Sequence, residues 1–233
     1  MSNQARLVLF TPFEPDAATL PQALSAALAA VPVDAVILRL PETDDRSKIN
    51  LAKAVAPIVQ GKGAALMLDG HPELVARTGA DGAHVSGLDA VGPALEILRA
   101  QDRMCGVGGL PARHDAMEAA ELGTDYVMFG EPRPDGSVPP ISAIIERAQW
   151  WAELFQVPCV AYAPTIDDVG PLAATGCEFV ALGDYVFRDE EGPAAAMQRA
   201  LYALGGADAG ACRARGPRLS FLQLCWRSFR RWR

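Results

Sequence analysis

Ala64-Ala-Leu-Met-Leu-Asp-Gly-His-Pro-Glu-Leu-Val-Ala-Arg-Thr-Gly-Ala-Asp-Gly-Ala-His-Val-Ser-Gly-Leu-Asp89 holds one repeat of the pattern that decides the fold. An apolar run (64–69) gives way to a short stretch of helical composition (72–78). A Gly-Ala-Asp joint then leads into a second run (82–86) with no hairpin turn between the two. Strands joined by helices rather than hairpins run parallel. Outward from this stretch, further apolar runs occur at 6–11, 35–40, 103–107, 125–130, 158–162 and 178–182. Ala/Leu-rich stretches at helical period fill the gaps, at 19–31, 45–60, 88–100, 111–122, 141–155, 166–175 and 185–204. Continuously apolar strands alternating with helices mean a parallel sheet covered on its outer face. Eight such units fit a closed (β/α)8 TIM barrel better than an open doubly wound sheet. The joints Gly79-Ala-Asp, Gly123-Thr-Asp and Gly176-Cys-Glu reinforce this, because each glycine can close a helix before the acid enters the next strand.

Composition narrows the function classes. The chain has 233 residues, half of them apolar and 21% charged, which excludes intrinsic disorder for most of its length. The expected organisation is a barrel over 1–204 and an Arg-rich flexible tail over 205–233. That tail carries seven arginines and one acid, Asp208, so of the net −7 its +6 leaves −13 on the barrel. A body of that sign repels phosphate backbones, and no nucleic acid is expected at the barrel. In the tail, Leu219, Leu222, Trp226 and Phe229 fall at helical spacing with arginines on other faces. Such an amphipathic helix suits an acidic partner, an anionic membrane surface or this protein's own acidic body, and a non-functional extension fits equally. Five scattered cysteines without a CxxC pair point to reduced thiols. With no secretory leader and no transmembrane run of about 20 apolar residues, a cytoplasmic protein is expected. Trp150-Trp151 supplies one ring for the core and one for a subunit contact, the expectation of a homodimer.

In such barrels, chemistry sits at the C-terminal strand ends and the loops after them. The candidates there are Thr11, Glu14, Arg39, Asp69, His71, His84, Ser86, Asp89, Gly108, Gly109, Glu131, Arg133, Asp135, residues 162–165, Gly183 and Asp184. Arg39 points into the mouth if Ile37 faces inward, and a buried arginine needs an anion, from a ligand or from Asp69 or Asp184. His84 suits a general base near neutral pH, with a satisfied core histidine as the plainer reading. His71, close to Glu73, reads as a solvated surface group. The stretch from Gly106 to Gly109 offers backbone N–H groups to an anion, or makes a tight turn.

The segment 64–89 resembles the third and fourth units of thiamine phosphate synthases and their thiazole tautomerase relatives. These read there as an apolar strand, Asn-Asp-Arg, a short helix, Gly-Ala-Asp-Gly-Val-His-Leu-Gly-Gln and an Asp. Ala35-Val-Ile-Leu-Arg39, Glu121-Leu-Gly-Thr-Asp-Tyr126 and Val157-Pro-Cys-Val-Ala161 extend the resemblance over about 6–200. It implies an enzyme that joins a pyrimidine, activated as its diphosphate, to thiazole phosphate with release of pyrophosphate. It also implies Mg2+ to help absorb the leaving group's charge.

Carried over position by position, Arg39 falls on the family's arginine and Asp89 on one magnesium-binding acid. Asp69 stands for the Asn, Gly70 for the second metal acid and His71 for the Arg, which leaves Asp69 and Asp89 as candidate metal ligands. As plainer readings, each of these two caps the helix that follows. Ile37 replaces a Gln, Pro41 a Lys, Gly108-Gly109-Leu110 a Ser-Thr-His, and Asp184 a phosphate-side Ser. The segment 131–137 replaces a Thr-rich loop ending in Lys, and Ala163-Pro164 replaces Gly-Gly. Nearly every lost residue is one that would neutralise phosphate. The expected substrate-binding set is therefore Arg39, Asp69, His84, Gly108 and Gly109, around a degraded phosphate and metal site. Three readings stay open: a synthase with a rebuilt site, a tautomerase or an enzyme for a less phosphorylated substrate, and a non-catalytic paralogue binding a small ligand or protein partner. The tautomerase reading finds Leu110 where its histidine is expected, with His114 the nearest substitute.

Overall fold

The computed structural model describes residues 5–133 and 136–205. Residues 206–233 of the tail, with Cys212 and Cys225, and Asp135 lie outside the described residues. Eight strands, β1 (Arg6–Phe10), β2 (Ala35–Leu38), β3 (Ala65–Asp69), β4 (Gly82–Ser86), β5 (Met104–Gly108), β6 (Tyr126–Phe129), β7 (Cys159–Ala163) and β8 (Phe179–Leu182), pair in parallel in chain order. The ring closes where Leu7 meets Val180 and Leu9 meets Leu182. The outer layer is α1 (Leu20–Ala30), α2 (Asp45–Gln60), α3 (Val75–Thr78), α4 (Val91–Arg99), α5 (Arg113–Leu122), α6 (Ile141–Leu154), α7 (Val169–Ala173) and α8 (Pro193–Ala203). This is the (β/α)8 barrel expected from the sequence. Among the described residues, no helix is long and apolar enough to cross a membrane.

Strand alternation splits the apolar residues into two cores. Val8, Phe10, Ile37, Met67, Tyr126, Met128, Tyr162 and Phe179 fill the barrel interior. Their odd-phase neighbours, such as Leu9, Leu38, Leu68, Val127 and Leu182, face the helices. Trp151 is the largest fully buried side chain of the outer core. It stacks on Phe155 at 4.1 Å between ring centroids and donates its indole N–H to the Val157 carbonyl at 2.7 Å. Trp150 is half-buried, packs against both rings, and carries the Arg113 guanidinium over its face.

One helix expectation is corrected. In place of a continuous helix over 185–204, a 3-10 turn (Asp184–Arg188) is followed by a break and then by α8. Gly192 has φ +86° and Pro193 opens α8. The residue before a proline is driven out of the helical region, whereas proline itself suits a first helical position.

The three Gly-X-acid joints do more than end helices. Gly79 and Gly123 close α3 and α5 in the left-handed conformation. The acid two residues later then reaches sideways. Asp81 accepts the Leu66 N–H at 2.8 Å, Asp125 that of Cys105 at 2.8 Å, and Glu178 that of Cys159 at 2.9 Å. Asp34, before β2, pairs with Arg6 of β1 at 2.6 Å. Each acid ties the start of the preceding strand to its own.

Burial pushes the Asp125 carboxyl up to about 7, against the opposing pull of the Cys105 N–H and Arg99. The folded state then binds a proton more tightly than the unfolded chain, so stability falls as pH rises through that window. Asp125→Asn keeps an acceptor for Cys105 and removes the titration. Its urea midpoint is expected to decline less than that of the parent between about pH 5 and about pH 8. Equal declines in the two proteins would refute this.

Candidate active site at the barrel mouth

Because Ile37 lies inside the barrel, Arg39 two residues on also faces inward, just beyond the end of β2. It is 6% exposed. Its Nη1–H donates to the Thr11 carbonyl at 3.0 Å, and its backbone N–H donates to the Thr11 hydroxyl at 2.9 Å. Phe10 lies 4.6 Å and Phe13 3.6 Å from the guanidinium carbon, sandwiching the cation between rings. Phe13 is itself 46% exposed and forms the outer cover. Asp69 at the end of β3 approaches Nε at 3.5 Å. That is an ion pair too long for a good hydrogen bond, and Nε has no hydrogen-bond partner among the described residues. Burial lowers the Arg39 pKa, opposed by the negative charges of Asp69, Asp184 and Glu131. Burial raises that of Asp69, opposed by His84 and Arg39. The expected pairing of Arg39 with Asp69 is therefore present.

The second cluster crosses three strands. His84 on β4 pairs in register with Gly106 on β5, and Gly106 with Tyr126 on β6. A Cβ at position 106 would run into the Tyr126 ring, so only glycine lets the Tyr126 and His84 rings meet across β5. They stack with an 11° interplanar angle, and Nδ1 lies 3.0 Å from the Tyr126 hydroxyl. His84 Nε2 lies 2.7 Å from Glu131 Oε2, and the Ser86 hydroxyl donates to Oε1 at 3.0 Å. Burial alone would lower the His84 pKa, but the Glu131 carboxylate, by its charge and its hydrogen bond, and Asp69 together outweigh it, and the net direction is upward, favouring imidazolium. His84 is thus a core histidine and a charge partner at once.

Other expectations fare differently. His71 is no free surface group: its ring bridges Glu73 at 3.0 Å and Lys48 Nζ at 3.4 Å. Asp184 pairs with Arg188 at 2.6 Å. Asp89 is exposed on the turn after β4. The capping readings of Asp69 and Asp89 are corrected, since neither following turn carries a side-chain cap. The turns begin at His71 and Gly87, so the two acids sit out of capping register. Among the described residues, no group of three or more His, Cys, Asp or Glu is placed to hold a metal ion. Asp69 lies beside Arg39 and Asp89 is exposed, and a Mg2+ held by one or two carboxylates plus substrate phosphates needs no such group. Gly108 and Gly109 lie beneath the Glu131 carboxylate and the Ser86 hydroxyl, which fill the space that side chains there would need. His114 is 81% exposed on α5 opposite Glu118, and Leu110 is buried. Neither offers a tautomerase base at the mouth.

Two participants escaped the sequence reading. Lys48 is 9% exposed on the first turn of α2. Its spacing to Ala52, Val55 and Val59 on the buried stripe was the available signal. Tyr126 read as a plain apolar strand residue. Glu131 was a candidate with no assigned role.

Comparison with known proteins bears on the family and the fold. The family described as thiamine monophosphate synthase matches residues 7–186. The thiamine-phosphate synthase of Rhodospirillum centenum is 37% identical over 197 residues, covering 84% of this chain and 95% of that protein. The one from Hyphomonas neptunium is 32% identical, covering 86% and 94%. Among solved structures, a thiamine phosphate pyrophosphorylase from Pyrococcus furiosus superposes with a TM-score of 0.71 at 19% identity, covering 88% of this chain and 97% of that one. A 3-hexulose-6-phosphate synthase gives 0.69 at 15%, covering 85% and 99%. The last two share the barrel fold. On the match across residues 7–186 and the 37% identity to a full-length relative, this chain belongs to the thiamine monophosphate synthase family.

Proposed function

We propose that this chain is a thiamine-phosphate synthase working at the C-terminal mouth of its barrel. It would join a pyrimidine, carried as its diphosphate, to thiazole phosphate and release pyrophosphate. The observation that carries the reading is Arg39, a nearly fully buried cation at a strand end whose Nε has no hydrogen-bond acceptor among the described residues. As the bond to the diphosphate breaks and the bond to the thiazole nitrogen forms, negative charge gathers on the departing oxygens. A guanidinium held between two rings in a poorly solvated mouth is pre-oriented to absorb it. Lys48, steadied by His71, adds a second cation. Mg2+ belongs to the resemblance: Asp69 and Asp89 would hold it together with substrate phosphate oxygens, where it would neutralise the leaving group's charge. Cytoplasmic location, a homodimer and a tail contact with an acidic partner or membrane surface belong to the same reading, on sequence grounds.

The test incubates the purified full chain with both phosphorylated precursors and Mg2+. Thiamine phosphate and pyrophosphate should appear in equal amounts. No product above background at enzyme concentrations matching substrate would overturn the assignment.

A further inference from the structure

The Glu131 carboxylate has an unusual set of neighbours for a group at the edge of an acidic protein. Its side chain is 10% exposed. One oxygen lies on the imidazole Nε2 of His84 and the other takes the Ser86 hydroxyl. Beneath it the β5 end is stripped of side chains: a Cβ at Gly108 would meet the carboxylate, and one at Gly109 would meet the Ser86 hydroxyl and come within 3.2 Å of Oε1. Gly109 has φ +62°, a conformation that favours glycine. A ring N–H, a hydroxyl and a bare turn around one carboxylate are the parts of an anion-binding cradle. Burying a carboxylate is costly without such partners, and here every one of them is supplied.

We propose that Glu131 is the built-in ligand of an anion cradle formed by His84, Ser86 and the Gly108–Gly109 turn, occupying it in place of a phosphate or diphosphate group. The reading rests on the mouth being the substrate site and adds a gate to it. The substrate's anionic group enters only as the Glu131 side chain leaves, so anion affinity in the resting protein is held down by competition from within. It also explains why the turn is glycine at both positions, since the space belongs to Glu131.

The probe is inorganic pyrophosphate, titrated calorimetrically into the full chain and its variants. Glu131→Ala should bind it about tenfold or more tightly than the parent, the equivalent of about 1.4 kcal/mol. Adding Ser86→Ala to that variant should remove part of the gain. Unchanged or weaker binding by Glu131→Ala overturns the proposal, as does a gain untouched by Ser86→Ala. If the alanine protein does not fold, Glu131→Gln decides by the same criterion, since it keeps the size and loses the charge. Binding is read without turnover. An inactive protein that still shows the gain would remove the synthase reading and leave the cradle standing.

Discussion

Replacing Arg39 by methionine is expected to lower kcat/KM for thiamine phosphate formation by about 10²- to 10³-fold, the usual effect of deleting a pre-oriented donor for developing charge. Methionine keeps much of the packing between Phe10 and Phe13 but removes the cation. Asp69 is then left without its partner, and removing one member of a buried pair costs about 3–5 kcal/mol. Asp69 is 30% exposed, so solvent reduces that figure here. Adding Asp69→Asn separates the two effects. The double variant should regain melting temperature without regaining activity. A single variant that retains parental kcat/KM would refute the role given to Arg39, and a double variant that recovers both would show that the arginine serves the fold alone.

The largest stability effect is expected from Trp151→Ala. The ring is fully buried, stacks on Phe155, meets Phe129 edge to face at 5.8 Å, and satisfies the Val157 carbonyl. Truncation leaves a cavity between α6 and the sheet and an unpaired carbonyl in the turn before β7. Large-to-small changes of this kind cost about 3–5 kcal/mol. For a domain of this size that lowers the melting temperature by about 6–20 °C. Thermal unfolding followed by circular dichroism measures it. A drop of about 2 °C or less, worth under about 1 kcal/mol, would mean the outer core closes around the loss.

The strands were legible because parallel barrel strands are apolar on both faces and stand out as unbroken runs. Each of the eight runs read from the sequence coincides with an observed strand to within about two residues at either end. Arg39 could be placed by alternation from Ile37 within its own strand. Glu131, Tyr126 and Lys48 were harder for one shared reason: their partners lie on other units. Glu131 follows β6 and meets His84 and Ser86 on β4, passing over β5 because residue 108 is glycine, just as Gly106 makes room for the Tyr126 ring. Such a reach depends on strand register around the closed ring, which one-dimensional spacing does not encode. Likewise the acids of the Gly-X-acid joints read as strand openers, and their grip on the preceding strand became visible only with the sheet assembled.

That grip divides the ring into four cassettes of two strands, β1–β2, β3–β4, β5–β6 and β7–β8, each latched internally by one carboxylate. Among the described residues the seams carry other links beside ladder bonds and packing, with the Arg6 guanidinium over the Phe179 ring at β8–β1 and the Arg39–Asp69 pair at the mouth end of β2–β3. A chain built this way can be lengthened, shuffled or re-joined cassette by cassette with its latches intact, whereas a cut within a cassette severs one.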